Sequence, residues 1–303
     1  MEPIKTESGQ TVSFTHTDKV FWPAEGYTKG DVIDYYNSIY SHIIKYLKDR
    51  PESLFRSPNG INEKGFFQKD AGIGTPEWIK TEVVHSDSSE KDIHYIVCDD
   101  KPTLLYMANL GCIEINPWNS RIQSPDHPDY LILDLDPSEH NTYDQVVETA
   151  NVIKQILDKA GAASFPKTSG ATGMHIYVPL GAKYTYEQAK DFAHAIASMT
   201  HEQLPGTTSL ERNLAKRGKD VIYLDYLQNN KGQTLACAYS LRPKPGATVS
   251  TPLEWREVKA GLLPTDFTFK NILARVDKKG DLFGGVLLKG IDILKCLDRL
   301  SAK

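Results

Sequence analysis

The segment HPDYLILDLDPS (127–138) constrains this chain more than any other twelve residues. An apolar run, Tyr130 through Leu133, enters Asp134-Leu135-Asp136 and is stopped by Pro137. Side chains two apart on a β-strand project from the same face. Both carboxylates therefore leave the end of a buried strand together, where desolvated like charges are costly unless a cation joins them. Mg²⁺ or Mn²⁺, hard ions that take oxygen ligands, would suit such a pair. A solvated strand end or a helix N-cap is the other reading, since aspartate is common at both.

Strand and helix signals alternate around this segment, with no internal repeat. Residues 29–49 carry Val32, Ile33, Tyr36, Ile39, Ile43 and Leu47 at helical spacing and stop before Pro51. Residues 54–67 read as a strand, a turn at Pro58-Asn59-Gly60 and a second strand, and residues 78–97 as two strands around the polar turn SDSSEKD. A helix over 101–110 and a short strand over 112–115 follow. Beyond the aspartate strand come a helix over 141–160 and a strand, Gly-rich loop and strand over 165–179. A helix over 186–201 and strands over 220–227 and 235–241 follow, and the tail, 269–300, is helical with a break at Gly284-Gly285. The order predicts an α/β or α+β protein with a mixed sheet. A loose division near residue 125 gives an N-terminal lobe, 1–125, and a lobe, 126–303, carrying most of the chemistry.

With 303 residues, 40% hydrophobic and 24% charged, the chain has the composition of a globular protein able to bury a substantial core. The first residues, MEPIKTESGQTVSF, have neither a basic nor an apolar secretory region, and no apolar run is long enough to span a membrane. Cys98, Cys112, Cys237 and Cys296 form no CxxC pair and read as reduced core residues. A cytoplasmic protein is expected. The net charge of −4 gives no global argument for nucleic acid, so such a partner would have to meet local basic patches. Two exist, in ERNLAKRGK (211–219) and between Lys45 and Arg56; either could equally be a solvated face.

Three downstream features extend the chemistry. In TSGATGMH (168–175), glycines permit close backbone approach, Ser169 and Thr172 offer hydroxyls and His175 a ring donor, a set suited to a polyphosphate. A capped Gly-rich turn with a core histidine has the same spacing. Asp225 lies inside the apolar strand VIYLDYL (221–227), where a carboxylate needs a partner. If that strand neighbours the first, Asp225 completes a cluster able to bind two divalent ions and support phosphoryl or nucleotidyl transfer; a salt bridge is the alternative. Arg242, in a Pro/Gly-stiffened loop, is a candidate phosphate clamp or a surface arginine.

The chain resembles the polymerase domain of bacterial DNA ligase D, of the archaeo-eukaryotic primase superfamily used in non-homologous end joining. The likeness runs through FTHTDKVFWPAEGYTKGDVIDYY (14–36), RPESLFRSPNGINEKGFFQKDA (50–71), NLGCIEINPWNSR (109–121), HPDYLILDLDPS (127–138), FPKTSGATGMHIYVPL (165–180), DVIYLDYLQN (220–229) and YSLRPKPGATVSTPLEW (239–255). It implies a primase-polymerase fold with an RRM-like catalytic core and an N-terminal lobe that meets template and DNA ends. It implies that Asp134, Asp136 and Asp225 hold two Mn²⁺ or Mg²⁺ ions. Ser169, Gly170, Thr172, His175 and Arg242, with Arg217 and Gln228 nearby, match nucleotide contacts. Phe66 and Phe67 match a pair stacking on bases, as aromatic faces do without reading sequence, although strand alternation would turn at least one inward. Lys19 and Lys29, with Lys69, match a 5′-phosphate site on the downstream strand.

Two positions depart from the pattern. Asn116 stands where several members carry a histidine near the nucleotide sugar, and an amide can bond a hydroxyl but not titrate near neutrality. Phe55 stands where others have lysine, leaving Arg56 to make the nucleotide or template contact alone. The resemblance implies a nucleotidyltransferase extending a primer 3′-hydroxyl with NTP or dNTP at gaps and breaks, partnered by a Ku-like end-binding protein and a DNA ligase, and associated with the bacterial nucleoid. The KxDG-type lysine of a ligase would lie beyond this chain, which leaves a stand-alone polymerase and a piece of a longer protein both open. From the residues alone, a haloacid-dehalogenase-type phosphatase using DLDPS and a non-catalytic DNA-end tether are the alternatives.

Overall fold

Two compact units, each discontinuous in sequence, make up the computed structural model, which describes residues 2–5, 9–86 and 90–302. The first comprises Met1–Gln123, Thr234–Ser250 and Phe267–Lys278; the second comprises Ser124–Gln233, Thr251–Asp266 and Lys279–Lys303.

The first unit opens with two small antiparallel ladders, β1 (Ile4–Lys5) with β2 (Thr11–Val12) and β3 (Val20–Trp22) with β4 (Tyr27–Thr28). Helix α1 (Lys29–Leu47) starts at Thr28, whose side chain accepts from the Asp31 amide while Asp31 reaches back to Thr28, a capping box. Its inward stripe, Val32, Ile33, Tyr36, Ile39, Ile43 and Leu47, is buried. Then come β5 (Pro51–Arg56), β6 (Phe66–Gln68), β7 (Thr81–Ser86), β8 (Lys91–Val97), α2 (Lys101–Asn109) and β9 (Cys112–Pro117). Strand β5 pairs along one edge with β9 and along the other with β8 and then β6, all antiparallel. Both hairpins occur where the sequence predicts them. Residues 87–89 of the polar turn SDSSEKD lie outside the described residues.

The expected strand over 235–241 does not form. Tyr239 takes a left-handed backbone (φ 69°) that breaks extension. The segment is held instead by the Cys237 amide on the Ile115 carbonyl, the Ile115 amide on Ser240 Oγ and the Tyr35 hydroxyl on the Tyr239 carbonyl at 2.6 Å.

The second unit is built on β10 (Tyr130–Pro137), α3 (Tyr143–Ala160), β11 (Phe165–Thr168), β12 (Met174–Pro179), α4 (Tyr186–Gln203), β13 (Thr208–Ser209) and β14 (Ile222–Asp225). Its sheet runs β11-β12-β10-β14-β13, antiparallel except for the β13–β14 pair. Helices α3 and α4 pack on each other and on β10, as only helices on one face can. Alternation on β10 sends Leu131, Leu133 and Leu135, all buried, to one side and Asp134 and Asp136 to the other. Strand β14 ends two residues earlier than predicted, because Asp225 Oδ1 accepts the Leu227 amide and caps a 3₁₀ turn, Tyr226–Asn229. The tail forms α5 (Ile272–Lys279), a 3₁₀ turn at Gly284–Leu287 and α6 (Ile293–Ser301). Because β10 has antiparallel neighbours on both sides, the doubly wound parallel sheet that a haloacid-dehalogenase-type phosphatase needs around its DxD strand is not present. The four cysteines are buried and free. No helix among the described residues is long and apolar enough to cross a membrane.

One buried group costs the first unit stability. Glu52 on β5 is 1% exposed and neither carboxyl oxygen has a hydrogen-bond partner. Burial pushes its carboxyl well up, with Arg50 opposing and Asp99 adding to the shift. A raised carboxyl is at no disadvantage below its unfolded-state value, roughly pH 4, and destabilises the fold as pH rises toward the folded value. Glu52→Gln is therefore expected to stabilise the protein at neutral pH by on the order of 1 kcal/mol, the gain vanishing below about pH 4. Urea denaturation of both proteins across that pH range tests it; a gain that persists at low pH contradicts it.

Candidate active site

Register places the three aspartates on one face. Asp134 lies directly across from Asp225 in the β10–β14 pair, and Asp136 across from Tyr223; directly opposed residues share a face. On the other edge of β10, Asp134 faces His175 of β12, whose Nε2 lies 3.4 Å from Asp134 Oδ1. Exposure rises along the strand: Asp134 is largely covered, while Asp136 at the strand end is open.

The electrostatics of this face favour a cation. Desolvation raises the Asp136 carboxyl, with Arg217 opposing and Asp225 adding to the rise. Desolvation also raises Asp225, against hydrogen bonds from the Leu227 amide and Gln228 that lower it. The Tyr223 hydroxyl is pushed well up by burial and by the Asp225 charge. Two carboxyls that resist ionisation at the mouth of a sheet are an oxygen donor set suited to a hard divalent ion. The side chains are not gathered about a common point: among the described residues no three His, Cys, Asp or Glu form a ready metal cage. Asp225 gives one oxygen to the Leu227 amide and the other to Gln228 Nε2 at 3.3 Å, while Gln228 Oε1 is buried with no partner.

The Gly-rich loop sits against this face. Ser169 Oγ accepts the Ala171 and Gly173 amides at 3.1 and 3.0 Å, so its hydroxyl closes the turn. Gly170 supplies a left-handed φ of 72°. A Cβ on Gly173 would lie 2.1 Å from the Leu135 carbonyl oxygen, so this glycine serves the approach of the loop to β10. Thr172 is exposed at the tip and His175 is buried in β12. Arg217 stacks on Tyr223 with its guanidinium carbon 3.7 Å from the ring centroid, and Arg217, Asp136 and Lys219 line one hollow.

The first unit holds the remaining predicted residues. Lys19, Lys29 and Arg56 line one hollow together with His16. Burial lowers the Lys29 ammonium, followed by the nearby charges of Lys19 and Arg56, as three crowded cations require. Lys69 follows β6 as an exposed residue outside that lining. Arg56 donates to the Leu110 carbonyl and Gln68 Oε1, and its guanidinium lies 5.4 Å over Phe66. Phe66 and Phe67 are 46% and 59% exposed. The expectation that one turns inward fails because β6 is a three-residue edge strand without a covering layer; Phe55 supports Phe67 edge-on at 5.0 Å. Asn116 is buried in β9, its amide 3.2 Å from the Ser53 carbonyl. Arg242 Nε pairs with Glu114 Oε2 at 2.8 Å. Glu114, a charged residue inside the apolar strand CIEINP, carries the signal that singled out Asp225, and sequence reasoning passed over it.

Comparison with known proteins agrees on one family. The family model for the LigD primase-polymerase domain matches residues 28–283. A bifunctional non-homologous end joining protein LigD of Bacillus subtilis is 34% identical over 270 residues, covering 89% of this chain and 43% of the relative. The multifunctional LigD of Mycolicibacterium smegmatis is 30% identical over 285 residues, covering 92% and 36%. The chain thus spans less than half the length of these relatives. Among solved structures, the polymerase domain of Mycobacterium tuberculosis ligase D, in complex with DNA, superposes with a TM-score of 0.84 at 27% identity, covering 92% of this chain and 99% of that one.

The Arg242–Glu114 pair gives a test of the first unit. Arg242→Ala leaves the nearly buried Glu114 carboxylate without its arginine and is expected to cost about 1–3 kcal/mol in chemical denaturation, whereas the double variant Arg242→Ala/Glu114→Gln recovers part of the loss. A single variant as stable as the parent protein contradicts this pairing.

Proposed function

The chain belongs to the LigD primase-polymerase domain family, and from that premise we propose that it is a DNA-directed nucleotidyltransferase extending a primer 3′-hydroxyl at gaps and double-strand-break ends during non-homologous end joining. The observation that carries the proposal is the common face of Asp134, Asp136 and Asp225, flanked by the Ser169–His175 loop.

Asp134, Asp136 and Asp225 would hold Mn²⁺ or Mg²⁺, in the two-ion arrangement of nucleotidyl transfer. Such ions supply a Lewis acid that eases ionisation of the attacking hydroxyl and neutralises the departing pyrophosphate. The protein's own part is placement. His175 presents a ring donor beside the carboxylates, and the loop at Ser169, Gly170 and Thr172 offers backbone and hydroxyl groups to a triphosphate. Arg217, held over the Tyr223 ring, keeps positive charge beside Asp136, and Gln228 offers a buried acceptor beside Asp225.

In the first unit, Arg242, Arg56 and Asn116 are read as nucleotide contacts. The exposed rings of Phe66 and Phe67 suit stacking on bases. Lys19 and Lys29, with Arg56 beside them, suit a 5′-phosphate on the downstream strand, and Lys69 extends the same basic surface. A Ku-like end-binding protein and a ligase are the expected partners, with the bacterial nucleoid the expected place of action.

Asp136→Ala is expected to lower the rate of primer extension roughly a hundredfold or more, as for loss of one group from a preorganised electrostatic site, with the fold intact by circular dichroism. Extension at the parent rate would sink the proposal, and DNA-end binding without any metal-dependent extension by the parent protein would leave only a tether. Lys19→Ala should weaken binding to gapped DNA bearing a 5′-phosphate and reduce the slope of log Kd against log salt by about 1, while leaving the 5′-hydroxyl gap unaffected. Equal weakening on both DNAs would remove Lys19 from the phosphate site.

A further inference from the structure

Lys167 lies on β11, one strand beyond the histidine, and is fully buried. Burying an ammonium costs several kcal/mol unless it is paired or hydrogen-bonded. Register makes it the end of a row crossing four strands: Lys167 faces His175, His175 faces Asp134 and Asp134 faces Asp225. Its Nζ lies 2.8 Å from His175 Nδ1, and it also sits over the Tyr177 ring at 5.6 Å. The backbone of residues 251–253 borders the free edge of β11 through the Thr168 amide on the Thr251 carbonyl and the Leu253 amide on the Pro166 carbonyl.

An ammonium has three donors and no acceptor. At 2.8 Å from Lys167, Nδ1 must therefore be the accepting nitrogen, and the proton of a neutral imidazole is left on Nε2. That nitrogen points into the carboxylate face, 3.4 Å from Asp134 Oδ1. Which histidine nitrogen carries the proton is set by what the other one bonds, and here the partner comes from the neighbouring strand.

We propose that Lys167 is a positioning residue for the incoming nucleotide: it locks the ring of His175 in one orientation with Nε2 as the donor, so that a triphosphate meets an N–H and not a lone pair. This role rests on His175 being a triphosphate contact, as proposed above. Lys167 itself touches no substrate. A purely structural lysine, packed against the Tyr177 ring on the neighbouring strand, would affect stability without selecting a tautomer or a nucleotide affinity.

The first test needs neither metal nor substrate. Nitrogen-15 spectra of the ring-labelled parent protein, with the His175 signals assigned from a His175→Gln variant, should show a protonated Nε2 and an unprotonated Nδ1; a protonated Nδ1 overturns the proposal outright. In primer extension, Lys167→Met should raise the KM for ATP opposite a templating thymine roughly 10–100-fold, the range for loss of a group that orients a ligand-binding histidine, while changing kcat far less. Lys167→Arg, which keeps a donor, should recover most of that loss. A parental KM in a folded Lys167→Met protein overturns the proposal; if that variant does not fold, the parent spectra decide. A raised KM in His175→Gln but not in Lys167→Met removes Lys167 alone. An unchanged KM in His175→Gln removes the nucleotide role of His175 and that of Lys167 with it.

Discussion

The structure of the second unit turns on a conflict between burial and charge at the centre of its sheet. Strand β10 must be apolar on the face that meets α3 and α4, and Leu131, Leu133 and Leu135 meet that demand. Its other face carries Asp134 and Asp136, with Asp225 one strand away. Three carboxylates share the mouth of the sheet, and desolvation holds Asp136 and Asp225 above their ordinary range, the Asp225 charge adding to the rise at Asp136. The surroundings relieve this in part: His175 and, behind it, Lys167 on one side, Arg217 on the other. The remaining deficit of positive charge is what a divalent ion would fill, and the chemistry proposed for the protein follows from it.

The same economy of placement appears in the loop between β11 and β12. Its two glycines have different duties. Gly170 allows a left-handed turn, and Gly173 lets the loop lie on the Leu135 carbonyl with no space for a side chain. Ser169 closes the turn with its hydroxyl on two amides. A loop so constrained presents fixed backbone groups beside the carboxylates, which is how a protein binds an anion without losing much conformational freedom on binding.

The first unit solves a different problem. Its exposed aromatic pair survives on an edge strand because Phe55 and Arg56 on β5 support the rings from the neighbouring strand. Its cations are crowded closely enough for burial and mutual repulsion to lower the Lys29 ammonium. Exposed rings and crowded cations cost stability in an isolated protein, and both suit a polyanionic, base-bearing partner.

Much of this was legible in the chain. The hairpins, the principal helices and the strand ending in Asp134 and Asp136 follow from apolar periodicity, because a 3.6- or two-residue repeat is a local property that neighbours cannot hide. The suspicion attached to Asp225 was also local, since a carboxylate in an apolar strand demands a partner wherever it goes. What periodicity could not supply was which strands lie side by side. Register across β11, β12, β10 and β14, set by tertiary packing, turned separate charged residues into one row and gave Lys167 a role that its own surroundings in sequence do not suggest. Packing also overrode the strand expected over residues 235–241, where Tyr239 leaves extended geometry so that its carbonyl meets Tyr35, and left Phe66 and Phe67 both exposed on a strand with no covering layer. Residue order alone marks which side chains are costly to bury; which of those costs are set against one another is fixed by packing, because it depends on contacts between residues distant along the chain.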